Sequence, residues 1–203
     1  MSKARITIAA LAAVLIVASA AAWFILGRGF SAREEPTYVE AWVARRLRHM
    51  ATPRSFRDAR NPVPTTPENL AEARAHFADH CALCHGNDGS GQTEIGQNLY
   101  PKAPDMRQTE TQLLSDGELF YIIHNGIRLT GMPAWGTGSV AEDVDSWKLV
   151  HFIRHLPHIT PEELETMKNM NPKSPREQDE EEQIRRFLQG DDSQPTEPQH
   201  KNH

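Results

Sequence analysis

Only two cysteines occur in the 203 residues, and that scarcity removes several readings at once. A structural zinc site needs four N or S ligands at paired spacings, and there is no third cysteine to supply them. A disulfide between cysteines three positions apart would close a very small loop and stabilise little. No alternating run of β-branched residues precedes Cys81, so the strand, helix, strand setting of a thioredoxin-like redox pair is missing. No internal repeat is visible, and no segment reads clearly as a strand.

The two cysteines fall in Cys81-Ala82-Leu83-Cys84-His85. Two thiols at this spacing can add to the two vinyl groups of one porphyrin, and the adjacent imidazole can turn onto its iron. A C-x-x-C-H run of this kind reads as covalent attachment of c-type haem. Charge divides the chain around that motif: residues 1–64 carry a net +6, residues 65–160 a net −6 and residues 161–203 a net −5.

From Ile6 to Leu26 the chain is apolar apart from Thr7 and Ser19. As a helix this stretch reaches about 31 Å, the thickness of a bilayer core. Ala18-Ser19-Ala20 resembles a signal-peptide cleavage site, but Ala21 to Leu26 carry the apolar run past it. An uncleaved anchor within residues 1–30 is therefore expected. Orientation is in tension with charge. Lys3 and Arg5 precede the span while Arg28, Arg33, Arg45, Arg46 and Arg48 follow it, which by simple counting would keep the large part inside. Covalent haem attachment in bacteria takes place on the periplasmic side. The arginines at 45 to 48 lie near the limit over which the charge rule operates, so the expectation is a single-pass protein of the bacterial inner membrane with its haem domain in the periplasm.

Residues 31–64 are basic. Val39, Trp42, Val43, Leu47 and Met50 recur near helical spacing among Arg45, Arg46 and Arg48, the pattern of an amphipathic helix. Two readings stay open for it: a foot on anionic lipid or a docking element for a membrane partner, or a helix packed on the haem domain. Pro62 and Pro64 mark an extended linker.

The central domain, residues 65–158, opens on Thr66 as N-cap and Pro67 in the first helical turn. Leu70, Ala73, Phe77 and Cys81 then share one face and lead into the haem motif. Ser115-Asp116-Gly117-Glu118 is a capping box ahead of a second helix that stops at Asn125-Gly126. A third runs from near Ser139 or Asp143 through Trp147 and Phe152 and ends before Pro157. So few residues bury a limited core alone, so a large apolar cofactor is expected to complete it. For the second axial position Met132, in Gly131-Met132-Pro133, follows a conformationally free glycine and is held out of helix by the proline. Met106 reads instead as an apolar contact, and His124 as a polar helix-end residue.

Residues 65–157 resemble a class I cytochrome c. Phe77 stands four residues before Cys81, followed by the C-x-x-C-H, the glycine-rich loop Gly86 to Gly91 and the Ala103-Pro104-Asp105-Met106 turn. The Met132 loop and a last helix carrying Trp147 and Phe152 complete the pattern. The resemblance implies an all-α fold around one covalent haem c, behind one transmembrane helix, with the first and last helices of the domain crossing near Phe77. It implies His85 and Met132 as iron ligands, Cys81 and Cys84 as covalent attachments, and the Pro104 carbonyl as acceptor for the ring proton of His85.

With both axial positions filled, the expected function is single-electron transfer without bond chemistry of its own. The alternative is a haem-bearing subunit of a larger oxidoreductase; a ligand-binding or peroxidatic haem protein is the less favoured third. Redox proteins with basic docking faces are the expected donor and acceptor, with the membrane engaged through residues 6–26 and no nucleic-acid partner. Residues 159–203 read as an acidic tail, with a capping box at Thr160-Pro161-Glu162-Glu163 and a short helix to about Met170, then low hydrophobicity that reads as disorder. His200 and His203 form no defined metal site.

Overall fold

The computed structural model describes residues 2–29, 31–173 and 175–189, and His200 and His203 lie outside them. Among the described residues every regular element is helical. Helix α1, Lys3–Arg28, holds the apolar span Lys3–Gly27, none of it covered by the rest of the chain. Ile6, Leu15 and Trp23 are exposed, an arrangement at home in lipid, where a helix satisfies every backbone group internally.

Helix α2, Tyr38–Ala51, starts where the Thr37 hydroxyl accepts from the Glu40 amide at 3.3 Å. Short α3, Arg54–Arg57, follows. The linker is strapped to the domain: Asn61 donates to the Trp147 carbonyl at 2.8 Å, and the His151 ring meets the Val63 carbonyl at 2.7 Å.

Each start signal read from the sequence of the domain is in use. Thr66 caps α4, Pro67–His76, by accepting from the Asn69 amide. One π-helical turn, Phe77–Cys81, continues it into α5, Ala82–His85. After two single turns, α6, Glu94–Gln97, and α7, Thr109–Gln112, the Ser115 capping box opens α8, Asp116–Asn125, with both of its hydrogen bonds formed. Gly117 in its first turn lies against α3, and a Cβ there would stand 1.7 Å from the Phe56 carbonyl oxygen. Asp143, rather than Ser139, caps α9, Val144–His155.

The core sits where α4 crosses α9. Phe77 and Phe152 meet there with ring centroids 4.9 Å apart, at 1% and 0% exposure, so the expected crossing near Phe77 is present. A second aromatic column packs α8 on α9: Trp147 stacks on Phe120 at 4.1 Å, and Phe56 stacks on Phe120 at 6.0 Å. Arg154 ties the α7–α8 turn to α9, donating to Asp116 and to the carbonyls of Gln112 and Leu114.

Two features of the tail differ from the sequence expectation. Helix α10, Pro161–Lys168, opens on the Thr160 capping box as expected, but its Met167 is fully buried in the domain core. Glu163 holds it there through Arg74 at 3.2 Å and His155 at 2.9 Å. Packing thus continues past residue 158. Beyond Met170, where composition reads as disorder, Pro175–Leu188 forms helix α11. Its support is local: Arg176 pairs with Glu180 at 3.0 Å and Arg186 with Glu182 at 2.5 Å, the four-residue spacing that steadies a solvated helix.

Replacing Phe152 with Ala removes the ring at the helix crossing and is expected to cost about 3–5 kcal/mol. Leu113→Ala, at a site 80% exposed, should change stability by less than about 0.5 kcal/mol. Denaturant unfolding of the haem-loaded protein measures both.

Candidate haem-attachment site

The two thiols and the imidazole are delivered by the end of a single helical rod. The π turn widens the helix just before the motif, with the Ala82 amide reaching back to the Phe77 carbonyl. Gly86, at φ 73°, then stops α5 directly after His85. The carbonyls left at that end are taken up by the following loop: the Gly91 amide donates to His85 at 2.7 Å and the Thr93 hydroxyl to Cys84 at 3.0 Å.

That loop also brings in the Pro104 segment. Gly91 has φ 72°, and a Cβ there would lie 2.3 Å from the Ala103 carbonyl oxygen and 3.1 Å from that of Pro104. Only a bare backbone allows so close an approach. The Met106 amide donates to Gly89 at 2.8 Å, and the Ala103 amide to Gly96 at 2.9 Å, so the turn is pinned at both ends. Met106 itself is buried in the core, as its reading as an apolar contact anticipates. Arg107 clamps the turn from outside, holding Asp105 through Nε at 2.8 Å and Asp88 at 3.1 Å.

Electrostatics separate the motif from a redox-active thiol pair. Cys81 and Cys84 are both free. Burial, and next the neighbouring Cys84, push the Cys81 thiol up to about 12, and burial raises Cys84 as well. Reactive dithiols have the opposite character, a lowered pKa and a stable thiolate. Burial pushes the His85 imidazole down to about 4, and the Pro104 carbonyl opposes that shift. His85 is only 8% exposed, and its Nδ1 is buried with no hydrogen-bond partner. Pro104 therefore approaches the ring as a nearby dipole and not as the acceptor of a formed bond.

The Met132 loop hangs from the end of α8. The Trp135 amide donates to Ile123 at 3.0 Å, the Gly136 amide to His124 at 3.1 Å and the Ile127 amide to Met132 at 3.1 Å. Trp135 stacks on His80 at 5.4 Å and 17°, which ties this loop to the turn carrying Cys81. Met132 is half-buried. His124 is committed elsewhere: its Nδ1 meets Asp143 at 2.5 Å, and its ring stacks on Phe120. It locks the end of α8 to the cap of α9, which agrees with its reading as a helix-end residue.

These residues fit a c-type haem. A neutral buried imidazole that turns Nδ1 toward the Pro104 carbonyl keeps Nε2 for iron, and two unpaired thiols stand beside it in the chain. Among the described residues no group of three or more His, Cys, Asp or Glu side chains could hold a metal. A polar cleft of about 400 Å³ lies elsewhere, lined by His49, Arg54, Arg57, Asp58 and Glu118, and shares no residue with the motif. The sequence reading does not single out Arg107 or the His80–Trp135 stack. An Asp-x-Arg spacing is the one local signal for the first, and none exists for the second.

Hydrogen bonds from Arg107 hold the Asp105 carboxyl at about 2, below its ordinary 3.8. A depressed carboxylate stabilises the fold above its ordinary value and loses that contribution as pH falls through the lowered one. Asp105→Asn is therefore expected to be less stable than the parent at neutral pH, by about 1 kcal/mol for a partly solvated charged pair. The gap should close as pH falls from 3.8 toward about 2, which urea unfolding across that range would measure.

Residues 68–153 match the family model described as Cytochrome C oxidase, cbb3-type, subunit III. No curated protein matches the chain. The match takes in Phe77, the haem motif, the Pro104 turn, the Met132 loop and nearly all of α9. Residues 68–153 are thus a c-type cytochrome domain, and with the apolar helix ahead of them the chain fits a membrane-anchored monohaem cytochrome c.

Proposed function

We propose that this chain carries single electrons through one covalently bound haem c with His85 and Met132 as axial ligands, tethered to the bacterial inner membrane with the haem domain on the periplasmic side. The observation that carries this reading is the buried His85, its Nδ1 turned to the Pro104 carbonyl, next in the chain to two free thiols. Cys81 and Cys84 would hold the haem through thioether links. The chemistry it supplies when bound is a reversible one-electron couple.

The chain's own residues set the terms of that couple. Burial keeps the His85 proton off the nitrogen needed for ligation, while the Pro104 dipole favours a proton on Nδ1, the orientation that raises ligand basicity. Met132, held in an extended loop by its hydrogen bonds to Ile127 and Thr130, would close the opposite face. Methionine opposite histidine raises the potential and leaves no position for oxygen or peroxide. The net −6 of residues 65–160 favours redox partners with basic docking faces, whose association slows as salt rises. The periplasmic side follows from where covalent haem attachment takes place in bacteria.

The description of the matching family model names a subunit of an oxidase, and that favours a second reading: a haem-bearing subunit that feeds a larger membrane complex in a respiratory chain. Purification in mild detergent separates the two. A stoichiometric partner that survives high salt supports the subunit, and a chain that elutes alone supports the tethered shuttle.

Met132→Ala tests the axial ligand. The variant is expected to keep its pigment through acidified acetone, because the thioether links remain, yet to lose the weak long-wavelength band of methionine-ligated ferric haem. Its reduced form should bind carbon monoxide, and its midpoint potential should fall by some part of the roughly 0.8 V that axial ligands span. A parent protein that already binds carbon monoxide would favour a ligand-binding haem protein instead.

A further inference from the structure

Helix α2 is packed inside out. Its apolar residues Val39, Val43, Leu47 and Met50 are 67%, 39%, 59% and 66% exposed, and Trp42 is 55% exposed. At 3.6 residues per turn these five share one side. The least exposed residues of the helix, Ala41 and Arg48, lie on the opposite side. Contact with the cytochrome domain is made by polar groups: His49 meets Glu118 at 2.6 Å, Arg48 is partly buried near Glu118, and Tyr100 donates to Glu40. Water is a poor solvent for such a stripe, and the domain does not cover it.

Position decides what does. Ten residue steps separate the end of α1 from the start of α2, so even a fully extended chain places Tyr38 within about 36 Å of the end of the membrane span. The linker is also held to the domain, with Glu35 meeting Lys102 at 2.5 Å. Exposed Arg45 and Arg46 flank or interrupt the stripe, and the helix's one acidic residue, Glu40, is occupied by Tyr100. Tyr38 and Trp42 are the amphipathic aromatics favoured at headgroup level. Apolar residues on one side with arginines around them are the signature of a helix lying in an anionic interface.

We infer that α2 seats the cytochrome domain on the membrane, burying Val39, Trp42, Val43, Leu47 and Met50 at the headgroup boundary while Arg45 and Arg46 engage anionic lipid phosphates. This rests on the reading of α1 as a membrane anchor. The seat fixes the distance and tilt of the domain, so its partners meet a presented face and not a freely tumbling one.

The test uses the full-length, haem-loaded protein in vesicles of phosphatidylcholine and phosphatidylglycerol, with photoreactive p-benzoylphenylalanine at Leu47, at Val43, or at the exposed domain residue Leu113 as reference. After irradiation, mass spectrometry should find at least about fivefold more phospholipid adduct at positions 47 and 43 than at 113. Yield at 47 should fall by about fivefold or more in phosphatidylcholine alone, the loss of one arginine–anionic lipid attraction. Equal yields at 47 and 113, or an adduct joining position 47 to a second copy or another protein, would overturn the seat. Alkaline carbonate reads the anchor separately. Retention with the membranes leaves the anchor standing whatever the crosslinks show, and release overturns the anchor and the seat with it.

Discussion

A buried imidazole with nothing bonded to one of its nitrogens is an expensive thing to place inside a protein, and the cytochrome domain is organised around it. His85 must be neutral, oriented and desolvated at once. The stop at Gly86 ends the helix before His85 can be drawn into a further turn. The loop to Gly91 takes up the His85 carbonyl, and the bare Gly91 backbone admits the Pro104 segment to the ring. Cysteines, ring and dipole therefore belong to one rigid unit, and α4 with α9 hold that unit against the core.

The same economy runs through the polar contacts that join helices. His124 serves the end of α8 and the cap of α9 through Asp143. Glu118 closes the capping box of α8 and meets His49 of α2. Burial pushes the Glu118 carboxyl up, but the hydrogen bonds from Ser115 and His49 together outweigh it and hold the group below its ordinary value, so the carboxylate stays charged. Glu163 caps α10 and pairs with Arg74 and His155. In each case one helix-capping acid also reaches a second element, which couples the start of a helix to tertiary packing. A modest apolar core gains cooperativity from such double duty.

Much of this is legible in the sequence because it is local. Thr66, Ser115 and Thr160 announce helix starts within four residues, and C-x-x-C-H needs five; all stand where their spacing puts them. What escapes is long-range or cumulative. Nothing near His49 signals Glu118, 69 residues away, so sequence alone leaves both readings of α2 open. Met167 is an ordinary apolar residue in an acidic stretch, and only tertiary structure shows it in the core. Helix α11 has the composition of a solvated chain, and ion pairs one turn apart turn that composition into a helix. The Pro104 carbonyl stands beside His85 as the resemblance implies, short of a formed hydrogen bond.

The π turn at Phe77–Cys81 carries a consequence for the phasing of the whole domain. In an uninterrupted α-helix, residues four apart lie nearly one above the other, and Phe77 would pull Cys81 onto the buried stripe beside it. The wider turn slips one extra residue into the winding. Phe77 stays fully enclosed, and Cys81, partly buried, still packs against the same core. The π turn thus resets the angle of the attachment motif about the helix axis without detaching it from the hydrophobic face.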